Sequence, residues 1–309
     1  MASPSELTVA TVLFGGEDVL AQTLPSWSSA IAEVACDVVI VDNSPSETPS
    51  AIVAEQLGVV DLVRRPSNPG FAASANEAIA RAKTDWVLLI NADVFLTGAA
   101  LRECLDWIRS PGRDGTTECA AIGLNTRGVE HCGVELNSVG YFSDRPADSP
   151  RPPLGPSGGG MLISRSTFTR AGGFDDDLFA WGEDGGLSLR LFAAGVVTRP
   201  LRLGLIHTGG HSVPSIAGQR LKARLLARNR IRVMRRDWTR PLQATVGVAQ
   251  LLLILANGLR KVPAGTARAH FSGVLTGLTE GSTKRQRPRF AFSTFVRYER
   301  SAARTASDG

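Results

Sequence analysis

The feature that most constrains this chain is a recurring unit. An apolar, β-branched run ends abruptly at an acid, amide or glycine, and a stretch of helix composition follows. Cys36–Val41 stops at Asp42-Asn43-Ser44-Pro45, and Trp86–Ile90 stops at Asn91-Ala92-Asp93. Leu7–Phe14 runs into Gly15-Gly16, and Val59–Val63 is a shorter run of the same kind. Between them, the stretch to about Ala32, residues 50–57, Phe71–Ala82 and Leu96–Ile108 have helix composition. Strands alternating with helices predict a parallel sheet with crossover helices. Ligands of open parallel sheets lie beyond the carboxyl ends of the strands, so the polar clusters closing these runs are the candidate site.

Beyond residue 110 the pattern loosens. Residues 110–156 are rich in Gly, Pro and Asp and read as irregular around a strand at Cys119–Leu124. Gly158–Ser164 reads as a strand, Glu183–Ala194 as a helix and Leu201–Ile206 as another strand. A chain of 309 residues, 43% hydrophobic and 20% charged, is long and apolar enough for one large α/β domain with an appendage. The expected division is 1–212 for that domain (1–110 nucleotide-binding, 111–212 acceptor), 213–280 for a helical extension, and 281–309 for a basic, partly disordered tail.

Charge is unevenly spread. Residues 1–150 sum to −11 and residues 151–309 to +16. Gln219–Arg240 reads as a helix with nine Lys/Arg and one Asp. Such asymmetry points to an anionic partner for the C-terminal half. Apolar stretches near 243–260 and 266–279 follow, the first short of a membrane span and open to a buried or an interfacial reading. Met1 to Thr8 lacks a positive region before its apolar run, so no signal peptide is expected. Cys36, Cys104, Cys119 and Cys132 form no CxxC pair and read as buried thiols of a reducing compartment.

Each cluster has a chemical and a plain reading. Asp93, after five apolar residues and Asn91-Ala92, needs a partner for its charge. A hard divalent cation bridging to a diphosphate would serve, and so would a helix cap. Asp42 could accept from a base or a ribose, or close an Asx turn. Asn68-Pro69-Gly70-Phe71 opens a helix whose free N–H groups suit a phosphate, or is ordinary turn chemistry. Glu183-Asp184, after Phe179-Ala180-Trp181-Gly182, could supply a general base in an aromatic-walled pocket, or complement a helix dipole. His207 and His211, in His207-Thr208-Gly209-Gly210-His211-Ser212, could supply a metal ligand or be structural. Gly155-Pro156-Ser157-Gly158-Gly159 matches the serine-hydrolase pattern in form only, because a strand follows it where that elbow needs a helix. No P-loop, G-x-G-x-x-G or HExxH occurs.

Taken in order, these segments resemble the family 2 glycosyltransferases, and most nearly bacterial rhamnosyltransferase-like members. The matching stretches are Val38–Ser44, Asn68–Asn76, Trp86–Val94, Gly159–Arg165, Gly172–Arg190 and His207–Ser212. The resemblance implies the GT-A fold, an α/β architecture with a mostly parallel central sheet, flanking helices and here a helical basic extension. It implies an inverting transfer from a UDP- or dTDP-sugar, with Mg²⁺ or Mn²⁺ on the donor diphosphate. Phe14 and Asp42 would then meet the base, with Asn68, Gly70 and Asn76 on the nucleotide side. Asn91 and Asp93 would form the metal motif, and His207 would be a further ligand. Asp184 would be the base, supported by Glu183, while Trp181, Gly159 and Gly160 would face the acceptor. Two departures stand out: Asn91 replaces an acid of the metal motif, and Gly186 replaces the second acid of the usual Glu-Asp-x-Asp-Leu.

Relatives often extend sugars on polyprenyl-diphosphate carriers, so the resemblance also implies a glycan or lipid-linked acceptor in cell-envelope polysaccharide synthesis. A cytoplasmic enzyme held at the inner membrane face through residues 219–260 follows, with a solvated helix face or a dimer contact as the plainer readings of that helix. No nucleic-acid recognition motif is present. Two alternatives stay open. A sugar nucleotidyltransferase would want a basic glycine-rich loop, whereas Phe14-Gly15-Gly16-Glu17-Asp18 has no Lys or Arg. An inactive scaffold at the membrane would explain Asn91 and Gly186.

Overall fold

The computed structural model describes residues 5–58, 60–110, 117–209, 215–261, 265–280 and 288–307. Its first half is the predicted unit repeated. Strand β1 (Leu7–Leu13) leads to helix α1 (Glu17–Glu33), β2 (Asp37–Asp42) to α2 (Thr48–Leu57), β3 (Asp61–Arg64) to α3 (Phe71–Arg81), and β4 (Trp86–Ile90) through the short β5 (Val94–Phe95) to α4 (Gly98–Arg109). β1 pairs in parallel with both β2 and β4, and β2 with β3, so the carboxyl ends of these strands share one edge.

The second half departs from the expected parallel plan. β6 (Cys119–Thr126), β7 (Val129–Leu136) and β8 (Phe142–Pro146) form an antiparallel meander in the region read as irregular. β9 (Gly160–Ser164) inserts antiparallel between β4 and β6. β10 (Thr198–His207) runs parallel to β6 and antiparallel to β5. The sheet has ten strands in the order β3-β2-β1-β4-β9-β6-β10-β5, with β7 and β8 branching from β6. It is therefore mixed, and its parallel part is the nucleotide half.

Both faces of the sheet are covered. On one, Leu20, Leu24 and Trp27 of α1 and Leu101 and Cys104 of α4 pack against the strands. On the other, α3 presents Ala72, Ala75, Ala78 and Ile79, small residues that bring it close to β1 and β2. Helix α5 (Arg165–Arg170) and helix α6 (Glu183–Ala193) complete that side.

The C-terminal helices are α7 (Ile216–Asp237), α8 (Arg240–Ala244), α9 (Val246–Arg260), α10 (Ala267–Thr279) and α11 (Phe292–Ser307). They share a third core with the acceptor half, in which Leu136, Phe142, Leu178 and Leu189 pack with Ile231, Trp238, Phe290 and Tyr298. The extension is thus continuous with the domain expected to end at 212. In the segment read as a partly disordered tail, α11 is ordered by that core: Phe295, Tyr298 and Ala302 are buried, and the Tyr298 hydroxyl accepts from Leu136 N at 3.1 Å.

The basic helix is not a solvated face. Arg232 and Arg236 are buried and reach Asp177, Arg228 donates to Leu178 O, and Arg235 to the carbonyls of Gly277 and Leu278. The Arg230 guanidinium stacks 4.0 Å from the Tyr141 ring centre. Among the described residues no helix is long and apolar enough to cross a membrane. The four cysteines are free, and burial pushes the Cys104 and Cys119 thiols up to about 12, which suits inert core packing.

Candidate active site

The parallel strand ends place Phe14, Asp42 and Asn91 along one edge. Phe14 is 56% exposed just beyond β1, a free aromatic face beside Gly15 and Gly16. Asp42 is fully buried instead. Its Oδ1 accepts from Ser44 N at 2.8 Å and its Oδ2 from Ser50 Oγ at 2.5 Å. Both oxygens are engaged in closing the turn after β2, the geometry of the Asx-turn reading, and of the two residues Phe14 is the exposed one.

The Asn68 turn also acts internally. Asn68 is left-handed (φ 46°), and its Oδ1 accepts from Gly70 N at 3.1 Å. A Cβ on Gly70 would lie 2.6 Å from Phe179 O, so glycine is required there by close backbone approach. Asn76 lies away from the strand edge. Its side chain donates to Phe174 O and accepts from Phe174 N, both at 2.9 Å, and so pins the segment before α6.

The segment after β4 is held from behind by α1. Thr23 Oγ1 donates to Ala92 O at 2.7 Å and Trp27 Nε1 to Val94 O at 2.8 Å. So fixed, Asp93 Oδ1 lies 2.9 Å from His207 Nε2, and the Asn91 amide 3.5 Å from the same nitrogen. His207 ends β10 opposite Val94, and its Nδ1 is 2.9 Å from Thr126 Oγ1 at the end of β6. A cation bound at Nε2 would leave the ring hydrogen on Nδ1, where Thr126 Oγ1 is placed to accept it. This is the outer support a metal-binding histidine uses. His211 and the rest of the 210–212 stretch lie outside the described residues.

Asp93 and His207 fit a divalent cation. Carboxylate oxygen plus imidazole nitrogen suits Mn²⁺ well and Mg²⁺ less well. Among the described residues no three His, Cys, Asp or Glu side chains gather into a protein cage. A cation here would take its other ligands from a diphosphate and water, as substrate-bridging ions do.

Three glycines connect this pair to the acids of α6. Asn91 N donates to Gly159 O at 3.1 Å, and Gly158 N donates to Asp184 Oδ2 at 3.1 Å. A Cβ on Gly159 would stand 3.2 Å from the Asn91 amide, and one on Gly160 3.0 Å from Ile122. Asp184 Oδ1 accepts from Gly185 N at 2.8 Å. Asp184 is half-buried and enclosed by protein. Desolvation, and then the Asp144 carboxylate on β8, push it up to about 6, against the two backbone donors. Glu183 is buried, with Oε2 unpartnered, and burial together with the Asp184 charge holds it well above the usual carboxylate range. Of the two, Glu183 is the harder to ionise, so the negative charge of the pair is favoured on Asp184.

The loop before these acids is strained and clamped. Phe179 (φ 68°) and Trp181 (φ 63°) are both left-handed. Such residues cost about 1–3 kcal/mol each and persist where neighbours over-determine them. Here the amide of Asn229, fully buried in α7, donates to Leu178 O (2.9 Å), Ala180 O (2.9 Å) and Trp181 O (2.7 Å). Ala72 N donates to Phe179 O at 3.1 Å. Trp181 is half-buried, with Lys222 Nζ 5.8 Å from its ring centre.

Sequence reasoning missed Thr23, Trp27, Thr126, Asp144 and Asn229. Thr126 carried the same signal as the others, a polar group closing an apolar run. Asn229 carried a weaker one, an amide of poor helix propensity inside a long helix. The rest had no local signal.

Residues 8–168 match the family model for glycosyl transferase family 2. An N-acetylglucosaminyl-diphospho-decaprenol L-rhamnosyltransferase, found in two strains of Mycobacterium tuberculosis, is 29% identical over 222 residues, covering 61% of this chain and 71% of that one. Among solved structures, a mannosyltransferase from Pyrobaculum calidifontis in complex with GDP-Man and Mn²⁺ superposes with a TM-score of 0.53 at 17% identity, covering 97% of this chain and 80% of that one. GalNAc-T7 with UDP, GalNAc and Mn²⁺ gives 0.56 at 16% identity, covering 76% and 48%. Both structural likenesses are of fold.

Proposed function

Since the chain belongs to glycosyl transferase family 2 and is a glycosyltransferase, we propose that it transfers a sugar with inversion from a UDP- or dTDP-activated donor to a lipid-linked glycan acceptor. Rhamnose is the sugar favoured by the curated relative, and an acceptor on a polyprenyl diphosphate by its name. Such an acceptor would put the enzyme at the inner face of a membrane, in the synthesis of a cell-envelope polysaccharide.

One observation carries the reading. The Gly158–Gly160 segment hydrogen-bonds at one end to the backbone of Asn91, beside the Asp93–His207 pair, and at the other to Asp184. A donor diphosphate at the first end and an acceptor hydroxyl at the second would meet across the glycines, whose missing side chains leave the room.

In this mechanism Phe14 stacks on the base. Asp93 and His207 would hold Mg²⁺ or Mn²⁺, which when bound would neutralise charge on the leaving diphosphate. Asp184 takes the proton of the acceptor hydroxyl as its oxygen bonds to the anomeric carbon. The bond from that carbon to the diphosphate oxygen breaks on the opposite face, and the nucleoside diphosphate leaves with the electron pair. Glu183, whose burial disfavours its charged form, supports Asp184 as the ionised member of the pair. Trp181 supplies an apolar wall for the acceptor.

The test is a thermal-shift panel of nucleotide sugars with and without Mn²⁺ or Mg²⁺. A donor at about 100 times its Kd stabilises by roughly 2.7 kcal/mol. A metal-dependent shift with UDP- or dTDP-sugars is the expected result. A cooperatively melting protein that shifts with none of them is not a transferase of this kind.

A further inference from the structure

The C-terminal layer buries much of its charge yet leaves apolar side chains in water. On α9 the solvent stripe is Val248, Leu252 and Leu259, exposed by 53, 62 and 66%, and on α10 Leu275 is exposed by 63%. The two helices run antiparallel, with His270 Nε2 donating to Ile254 O at 2.8 Å. That register places Val248 and Leu252 toward the end where Leu275 lies. No described residue covers these leucines, and single exposed leucines are ordinary, but an aligned stripe is not.

The other end of the layer is basic. Arg220 Nε approaches Gly265 O at 3.4 Å, which gathers the start of α7, the end of α9 and the start of α10. Arg220, Arg224, Arg260 and Arg268 are exposed there, and Lys261 is half-exposed. Residues 215–280 contain two acids, Asp237 and Glu280. Both sit at the far ends of α7 and α10 and are taken, Asp237 by Arg190 and Glu280 by Arg232. No acid of these helices therefore offsets the positive end, and Lys222 beside it reaches the Trp181 ring.

We propose that α9 and the α9–α10 junction form the surface by which the protein docks on an anionic lipid bilayer, Leu252 and Leu259 entering the interface and Arg260 and Arg268 meeting lipid phosphates. An exposed leucine stripe capped by arginines is the pattern of a helix lying in the interface plane. Within the 219–260 stretch expected to meet a membrane, this moves the contact off the basic helix, whose Arg228, Arg232, Arg235 and Arg236 are engaged by the protein itself, onto α9 and extends it to the start of α10. It deepens the reading of a lipid-linked acceptor by setting Trp181 close to the bilayer end of the molecule.

The test is co-sedimentation of the full chain with vesicles of phosphatidylcholine alone or with 30% phosphatidylglycerol, without donor or acceptor. Binding to the anionic vesicles alone is expected. Arg260→Gln with Arg268→Gln should weaken it about 25-fold, at about fivefold per neutralised charge, and Leu252→Gln with Leu259→Gln should also weaken it. All four positions are exposed, so melting temperature and transfer to a water-soluble acceptor should hold. No vesicle binding, equal binding to neutral vesicles, or binding unchanged in either variant overturns the proposal. So does a dimer that the leucine variant dissociates, since the stripe then covers a second copy. Vesicle binding in a protein that transfers no sugar would leave the docking surface intact and remove the catalytic reading.

Discussion

Replacing Gly186 and Asp237 together probes why this chain dispenses with the second acid of its family's motif. Arg190 is fully buried, its Nη1 3.3 Å from Asp175 Oδ2 and 3.3 Å from Asp237 Oδ2. A Cβ built on Gly186 would stand 3.3 Å from Arg190 Nη1 and 3.4 Å from Asp237 Oδ2. Asp237 of α7 thus fills the space an aspartate at 186 would claim, and delivers its charge to the same guanidinium. At 3.3 Å and an effective dielectric near 20, a unit pair is worth about 5 kcal/mol. Removing one partner of a buried pair costs about 3–5 kcal/mol. Asp237→Ala should therefore lower stability by that order. Gly186→Asp should also destabilise, since it sets a second carboxylate against the first. The double variant exchanges one acid for the other and should regain at least ~2 kcal/mol over the sum of the singles, beyond the few tenths that non-neighbours show. Urea unfolding followed by tryptophan fluorescence gives the midpoints, with an unchanged slope confirming that one transition is compared. Effects that add to within about 0.5 kcal/mol would refute the idea that the two positions share one charge site.

Other outcomes follow from the same geometry. Asp184 must be ionised to act as base, so kcat/KM should rise with pH through about 6 and level off above. A rate independent of pH from 5 to 8 would remove it from that role. Because its folded-state pKa is raised, the stability it contributes is present at low pH and lost as pH climbs through about 6. Asp184→Asn should accordingly melt higher than the parent at pH 8 while losing at least ~10²-fold in rate. Asp93→Ala should abolish the metal-dependent part of the donor thermal shift, and Thr126→Val should weaken metal affinity by about 10–100-fold while leaving the ligands in place. Asn229→Leu removes the donor to three carbonyls and should cost about 1–3 kcal/mol. Its signature is a fall in kcat at unchanged donor affinity, and equal losses in both would mark a role in folding alone.

Where the sequence was legible, the information was local. An apolar run closed by a polar group marks both a strand and its carboxyl end, which is why β1, β2 and β4 and the strand-end positions of Asn91 and Asp93 were legible. β7 and β8 escaped because the meander breaks the alternation: the β7–β8 register shifts between His131 and Val134, and Gly133 is left-handed. The family resemblance put Asn76 on the nucleotide side with Asn68, whereas the backbone it hydrogen-bonds, Phe174, lies 98 residues away in sequence. The arginines of α7 read as a surface for the same reason. Their count is in the sequence, whereas Asp177, which turns Arg232 and Arg236 inward, is brought to them only by the fold.

The core shared between the acceptor half and the C-terminal helices has a consequence for the order of synthesis. Sheet partners β1 to β4 and their helices lie within about the first hundred residues, so the nucleotide half can close while the chain is still being made. The acceptor half cannot. Leu136 N waits for the hydroxyl of Tyr298, and the Trp181 loop waits for Asn229. A growing chain therefore passes through a stage in which the nucleotide half is closed while the acceptor half is still unsettled, and α11 completes the core behind the Trp181 loop only afterwards.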